Sequence, residues 1–234
     1  MAIEFVLLLL GAYLLGAVPA AYLAAKWSRG IDIRQYGSGN VGAANLMGLT
    51  SKWVAIPVLI FDLGKGMPTV WAAQLIGLGL AQQVAVGLAA IVGHNWPVFL
   101  RFSGGRGQLT ILGVAFFLPV INGLVPWEVI ALFALAAAIF FTIHNFPLAT
   151  GAGVAVMPLV SWGLGEPLPM TLGFLAMFLI MIIRRLTAPK TPVTASVPPR
   201  QLLLNRLLFD RDIRDRKAWV YRQPVKQEAK EREG

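Results

Sequence analysis

Apolar residues in this chain come in long runs, not in the alternation of a strand or the one-sided stripe of a surface helix. Residues 5–25 carry no charge, and residues 53–93, 108–143 and 148–183 carry very little. A helix needs about 20 residues to cross a bilayer. The first run predicts one span, roughly 4–25. Each of the other three predicts a pair of spans. Asn122-Gly123 with Pro126 breaks the second of these runs, and Gly163 to Pro169 breaks the third. The pattern predicts an all-α polytopic membrane protein with about seven transmembrane helices. Several fall at the short end of the usual range of about 17–25 residues, which also allows half-spans or re-entrant helices.

Charge orients the spans. Of the 20 Lys and Arg residues, all but Lys65 lie in residues 26–52, 101–106 and 184–232. Residues 107–183 hold only Glu128 and Glu166 as charged groups. Lys and Arg in short loops mark the cytoplasmic side. The expected topology has the N-terminus outside, the C-terminus in the cytoplasm, and Glu4, Glu128 and Glu166 on the outer side. The first run is followed by Lys26 and Arg29, whereas a secretory signal carries its positive charge ahead of the apolar run. It therefore reads as a retained helix.

Composition narrows the chemistry. The chain has 234 residues, 57% of them hydrophobic and 13% charged, against about 25% charged in an average soluble domain. With no Cys, disulfides, thiol nucleophiles and Cys-bound metal are excluded.

Residues 187–199 hold four prolines and one charge and read as an extended linker. Residues 200–222 read as a helix with Leu203, Leu204, Leu207 and Leu208 on one face and Arg206, Asp210, Arg214 and Lys217 on the other. Such a helix suits an anionic membrane surface; docking on the loops or on a partner is the competing reading. The expected division is a membrane-embedded domain over 1–186, a Pro-rich linker over 187–199, and a basic amphipathic cytoplasmic tail over 200–234. Basic groups interleaved with acids do not suggest nucleic acid.

His94-Asn95-Trp96-Pro97 has an echo in His144-Asn145-Phe146-Pro147, and reads as two similar helix stops. Two loops carry candidate chemistry. Residues 36–45 (YGSGNVGAAN) combine Gly37, Gly39 and Gly42 with Ser38, Asn40 and Asn45. Glycine lets backbone N–H groups turn inward on a tight loop and form an anion site. Residues 94–108 wrap Gly104, Gly105 and Gly107 around Arg106 and lead into a helix near Gln108. A guanidinium fork beside a helix N-terminus suits phosphate. Together the loops point to a phosphorylated ligand at one membrane face. Asp62 and Lys65, three apart on one helical face, read as a structural pair near a break at Gly64 and Gly66. His94 is either an acid–base group or a capped helix end.

Gly37-Ser38-Gly39-Asn40 with Asn45, Gly93-His94 with Pro97, and Gly104-Gly105-Arg106-Gly107 resemble the first two motifs of the bacterial acyl-phosphate:glycerol-3-phosphate acyltransferases. Asp62 and Lys65-Gly66 resemble that family's Asp-x-x-Lys-Gly element. The resemblance covers about residues 1–186. It implies a seven-helix inner-membrane enzyme with a cytoplasmic active site and no cofactor. Such an enzyme moves an acyl group from acyl phosphate to glycerol 3-phosphate and gives lysophosphatidic acid. It implies Ser38, Asn40, His94 and Arg106 as catalytic residues, and Gly37, Gly39, Asn45, Gly104, Gly105, Gly107 and Arg185 as substrate-binding ones.

The chain also departs from the family pattern. Ala44 stands where the first motif has Thr, Gly48 where it has Arg, and Arg106 where the second has Lys. Arg185-Leu186 keep part of the third motif, but its His and Asn positions fall on Leu179 and Ile182. A divergent homologue with another acceptor, or a non-catalytic scaffold or regulator on the same fold, are the other readings.

Overall fold

The structure, a computed structural model, describes residues 2–189 and 191–220. Among these residues every regular element is helical. Helices α1 (Ala2–Ala17) and α2 (Ala20–Arg29) form the first apolar stretch. The expected single helix is broken at Val18-Pro19, because proline lacks the N–H that would bond four residues back and its ring crowds that carbonyl. Helix α3 (Ala43–Leu49) lies in the loop that follows. Helices α4 (Lys52–Gly64) and α5 (Met67–Leu75) make the second stretch, interrupted at Lys65-Gly66 as the glycines there suggest. Then come α6 (Leu80–Asn95), α7 (Gln108–Ile121), α8 (Trp127–Ile143), α9 (Phe146–Gly163) and α10 (Leu168–Leu186).

Seven apolar stretches thus lie where seven spans were expected. Among the described residues five are long and apolar enough to cross a membrane: Ala2–Arg29, Lys52–Leu75, Leu80–Leu100, Phe146–Gly163 and Leu168–Leu186. Helices α7 and α8 are shorter, at 14 and 17 residues.

Helix α6 sits at the centre, packed on α1, α5, α7 and α10, while α8 and α9 form a tight hairpin. Small residues set these crossings. A Cβ on Gly16 or Gly93 would strike the backbone of Ala90 or Tyr13 across the α1–α6 contact, and one on Gly113 would strike the Leu63 carbonyl. Close backbone approach of this kind is how helices associate in lipid, where apolar burial alone gives little preference for a neighbouring helix over the lipid chains. Outward-facing residues such as Leu7, Leu10, Ile60 and Phe133 are exposed.

The C-terminal segment departs from expectation. The extended linker contains a 3-10 turn, Pro192–Ser196, and a buried Thr194. The single helix expected over 200–222 is two, α11 (Pro199–Phe209) and α12 (Arg216–Val220). Residues 221–234 lie outside the described residues. Leu203, Leu204 and Leu208 are exposed as the amphipathic reading requires. Arg206 is not on a solvated face. It is buried and bonded to Asp212 Oδ1 at 2.7 Å and to the Leu186 carbonyl at 2.6 Å. Asp212 also accepts from Thr194, and its carbonyl accepts from Asn205 at 2.8 Å. The break after Phe209 turns the chain back so that this buried pair can form, which a continuous helix would forbid.

Candidate active site

The three Lys/Arg-rich stretches meet at one end of the bundle. Residues 36–45 form a tight loop held by one side chain. Asn45 Nδ2 donates to the carbonyls of Tyr36 at 3.2 Å and Asn40 at 3.0 Å, and its Oδ1 accepts from the Ser38 N–H at 2.9 Å. Asn40 N–H donates to Ser38 Oγ at 3.3 Å, and Gly39 N–H to the Tyr36 carbonyl at 2.9 Å. Gly37 and Gly39 have φ of +57° and +74°, a region glycine enters without strain.

This corrects part of the expectation that the backbone N–H groups of Gly37 to Gly39, with Ser38 and Asn40, form an anion site: the Ser38 and Gly39 amides, and that of Asn40, are spent inside the loop. Asn45, assigned to substrate, is buried and organises the loop. Arg34 does not project freely beside it either. It forks onto Asp32 at 2.6–3.2 Å, and that hydrogen bond holds the Asp32 carboxyl below its usual range despite partial burial.

The second loop packs on the first. A Cβ on Gly105 would overlap both His94 Nε2 and the Val41 carbonyl, and one on Gly104 would overlap the His94 carbonyl and the Pro97 ring. Arg184, buried on α10, fixes the peptide from the other side. Its Nε donates to the Gly105 carbonyl at 2.8 Å and its Nη2 to the Gly104 carbonyl at 2.7 Å, with the guanidinium 5.9 Å from the Trp96 ring centre. Gly107, at φ +68°, lies directly on the buried amide of Asn95 and starts α7.

Beneath these loops lie three titratable side chains. Asp62 Oδ1 is 3.0 Å from Lys65 Nζ and 3.6 Å from His94 Nδ1, and all three side chains are buried. Together with Val41, Gly104 and Gly105 they line a narrow cavity against the α1–α2 break. The Asp62–Lys65 pair is therefore real, as its spacing suggested, but His94 joins it and places it at the site. Asp62 and Lys65 were missing from the expected site. Two charges inside an apolar run were the signal that could have found them.

Arg106 stands in the second loop, and Arg185 lies near the end of α10. Arg106 Nη1 donates to the Arg184 carbonyl at 3.0 Å, and its Nε is 3.0 Å from Asp210 Oδ1. Arg185 donates to the Leu207 carbonyl at 2.8 Å and the Pro147 carbonyl at 2.7 Å, so it ties α9, α10 and α11 together. Asn145 caps α9 through Leu148 N–H and donates to the Leu208 carbonyl, and His144 ends α8 with φ +56°. Leu179 faces outward at 49% exposure, so no side chain at that position reaches the site.

A family model described as glycerol-3-phosphate acyltransferase matches residues 6–190. Glycerol-3-phosphate acyltransferase 5 of Dehalococcoides mccartyi is 45% identical over 230 residues, covering 95% of each chain. Glycerol-3-phosphate acyltransferase 4 from another strain of that species is 45% identical over 226 residues, covering 93% of this chain and 94% of the relative. Two crystal structures of PlsY (YgiH), an integral membrane glycerol 3-phosphate acyltransferase, superpose on this fold. The glycerol 3-phosphate form gives a TM-score of 0.66 at 28% identity, covering 78% of this chain and 88% of that one. The lysophosphatidic acid form gives 0.67 at 29% identity with the same coverage.

Proposed function

The chain belongs to the glycerol-3-phosphate acyltransferase family, and we propose that it transfers its acyl group from an acyl phosphate. It is a multi-pass membrane enzyme of phospholipid synthesis that acylates glycerol 3-phosphate to lysophosphatidic acid. The observation that carries the donor reading is the packing of the two Gly-rich loops, the second of which holds Arg106, over Asp62, Lys65 and His94.

In this reading the primary hydroxyl oxygen of glycerol 3-phosphate attacks the acyl carbon. The new ester C–O bond forms as the acyl carbon–phosphate oxygen bond breaks. The hydroxyl proton leaves on phosphate, and no covalent enzyme intermediate forms. Phosphate is already a good leaving group, so the protein's work is positioning and charge stabilisation. Arg106 neutralises phosphate charge. Ser38 and Asn40 contribute their side chains, Gly104, Gly105 and Gly107 allow close backbone approach, and Arg184 holds the loop in shape. His94, held by Asp62, faces Gly105 and orients the donor. Asn45 and Arg185 shape the site from behind.

The active face is cytoplasmic in the cell membrane, with the N-terminus outside and seven crossings, α7 and α8 among them. The Lys/Arg asymmetry supports that orientation. Residues 1–186 carry the transfer, and the segment after them braces it.

The test is purified protein in lipid nanodiscs with palmitoyl phosphate and glycerol 3-phosphate. Phosphate and lysophosphatidic acid should appear in equal amounts. Phosphate release without ester would mean hydrolysis and would overturn the transfer reading.

A further inference from the structure

We propose that Asp210, in the segment beyond the family's matched region, is a positioning residue for Arg106, so that the C-terminal strap completes the site. The inference rests on the reading of Arg106 as the phosphate-neutralising group.

The first observation is the pair itself. Arg106 Nε and Asp210 Oδ1 are 3.0 Å apart, and the two side chains are only 14% and 17% exposed. Arg106 Nη1 is taken by the Arg184 carbonyl at 3.0 Å. The guanidinium thus donates one hydrogen bond to α10, while its buried Nε and the buried Asp210 Oδ1 form an ion pair without hydrogen-bond alignment. A bond at one nitrogen and a fixed charge beside another bias the orientation of the planar group, and orientation is what a guanidinium adds over an ammonium.

The second observation is how firmly Asp210 is placed. Asp210 ends α11 in the left-handed region, with φ +52°. The last turn of α11 is pinned at three consecutive carbonyls. Arg206 O accepts from Asp210 N–H at 3.2 Å, Leu207 O from Arg185 Nη1 at 2.8 Å, and Leu208 O from Asn145 Nδ2 at 3.1 Å. Two of these donors belong to the helical bundle, so the bundle itself fixes where Asp210 stands.

The third observation is the choice of partner. Asp210 and Asp212 lie two apart in a segment rich in arginine. Asp212 neutralises Arg206 within the strap at 2.7 Å. Asp210 instead reaches out of its own segment to residue 106, where the family resemblance places a lysine. An ammonium is a point charge with no plane to orient, whereas a planar guanidinium has one.

The experiment uses the full chain in nanodiscs with palmitoyl phosphate and glycerol 3-phosphate. Asp210→Asn keeps the shape and removes the charge; it should lower kcat at least tenfold. Asp210→Glu should recover part of that loss. Asp215→Asn, an exposed acid that caps α12 through the Lys217 and Ala218 N–H groups, should match wild type. On an Arg106→Lys background, Asp210→Asn should cost under threefold, because the fork it held is gone.

Transfer by Asp210→Asn equal to or above wild type would overturn the proposal, since the carboxylate would then be idle or a restraint on the arginine. Equal losses on both backgrounds would overturn it too, as a general structural role predicts. If wild type itself shows no transfer, the functional reading fails separately. Calorimetry of palmitoyl phosphate and of glycerol 3-phosphate on the same variants then decides, and unchanged affinity for both in Asp210→Asn overturns positioning.

Discussion

Gly105 lies so close to His94 that a single added carbon would overlap the imidazole Nε2. The contact joins the Gly-rich loop to the Asp62–Lys65 pair. Gly105→Ala should therefore remove most transfer and destabilise the protein by about 1–3 kcal/mol, the usual cost of overpacking. Gly11→Ala, where a Cβ meets nothing within 4 Å, should behave as wild type. Product formation and thermal unfolding in detergent check both. An active Gly105→Ala would mean the loop is not held on His94.

Asn45 does its work through the loop. Asn45→Ala removes the bonds to Ser38, Tyr36 and Asn40 and should cost about 2–3 kcal/mol at roughly 1 kcal/mol each. Asn45→Asp should be worse, because a carboxylate cannot donate to the Tyr36 and Asn40 carbonyls and would repel them. Unfolding measurements that rank Asp above Ala in stability would refute the assignment.

Lys65 and Asp62 are buried together. Lys65→Ala leaves the carboxylate without its main partner and should destabilise by about 3–5 kcal/mol. Lys65→Met with Asp62→Leu should recover much of the stability, since replacing a buried ion pair by apolar groups is often neutral. Transfer should stay low in the double variant, because His94 has lost the carboxylate it faces. Thermal unfolding and turnover, read side by side, separate the two effects.

Arg106→Ala should lose most turnover, and Arg106→Lys should keep more, since the charge stays while the fork is lost. Kinetics against glycerol 3-phosphate and acyl phosphate in turn will identify which phosphate the arginine serves. Wild-type rates in Arg106→Ala would remove it from the site.

Cysteines placed at Ser51, Ser103 and Ser196 should all be shielded from an impermeant thiol reagent in intact cells. Labelling at Ser103 alone would break the orientation, because loop 94–107 touches both the 36–45 loop and the strap.

Much of the fold is legible in the sequence alone. Long uncharged runs can only be helices in lipid, where each backbone group must be satisfied within its own segment. Helix ends at Asn122-Gly123, Gly163 and Asn145 follow from local chemistry that acts over a few residues. The Gly-rich loops and Arg106 were visible for the same reason. What the tertiary structure decided is who holds whom. Asn45 binds its own loop, Arg184 grips the carbonyls of Gly104 and Gly105 from a helix 80 residues away, and Asp210 turns out of its strap to Arg106. Hydrophobic periodicity reports which face of a helix is buried, but carries nothing about the partner of a buried polar group. For Arg206 it gave a place on the polar face of a helix, where the fold has an acid waiting at 2.7 Å, as a helix docked on the protein requires. That choice is made by the enclosed geometry, because a buried charge must find a counterion wherever the chain returns.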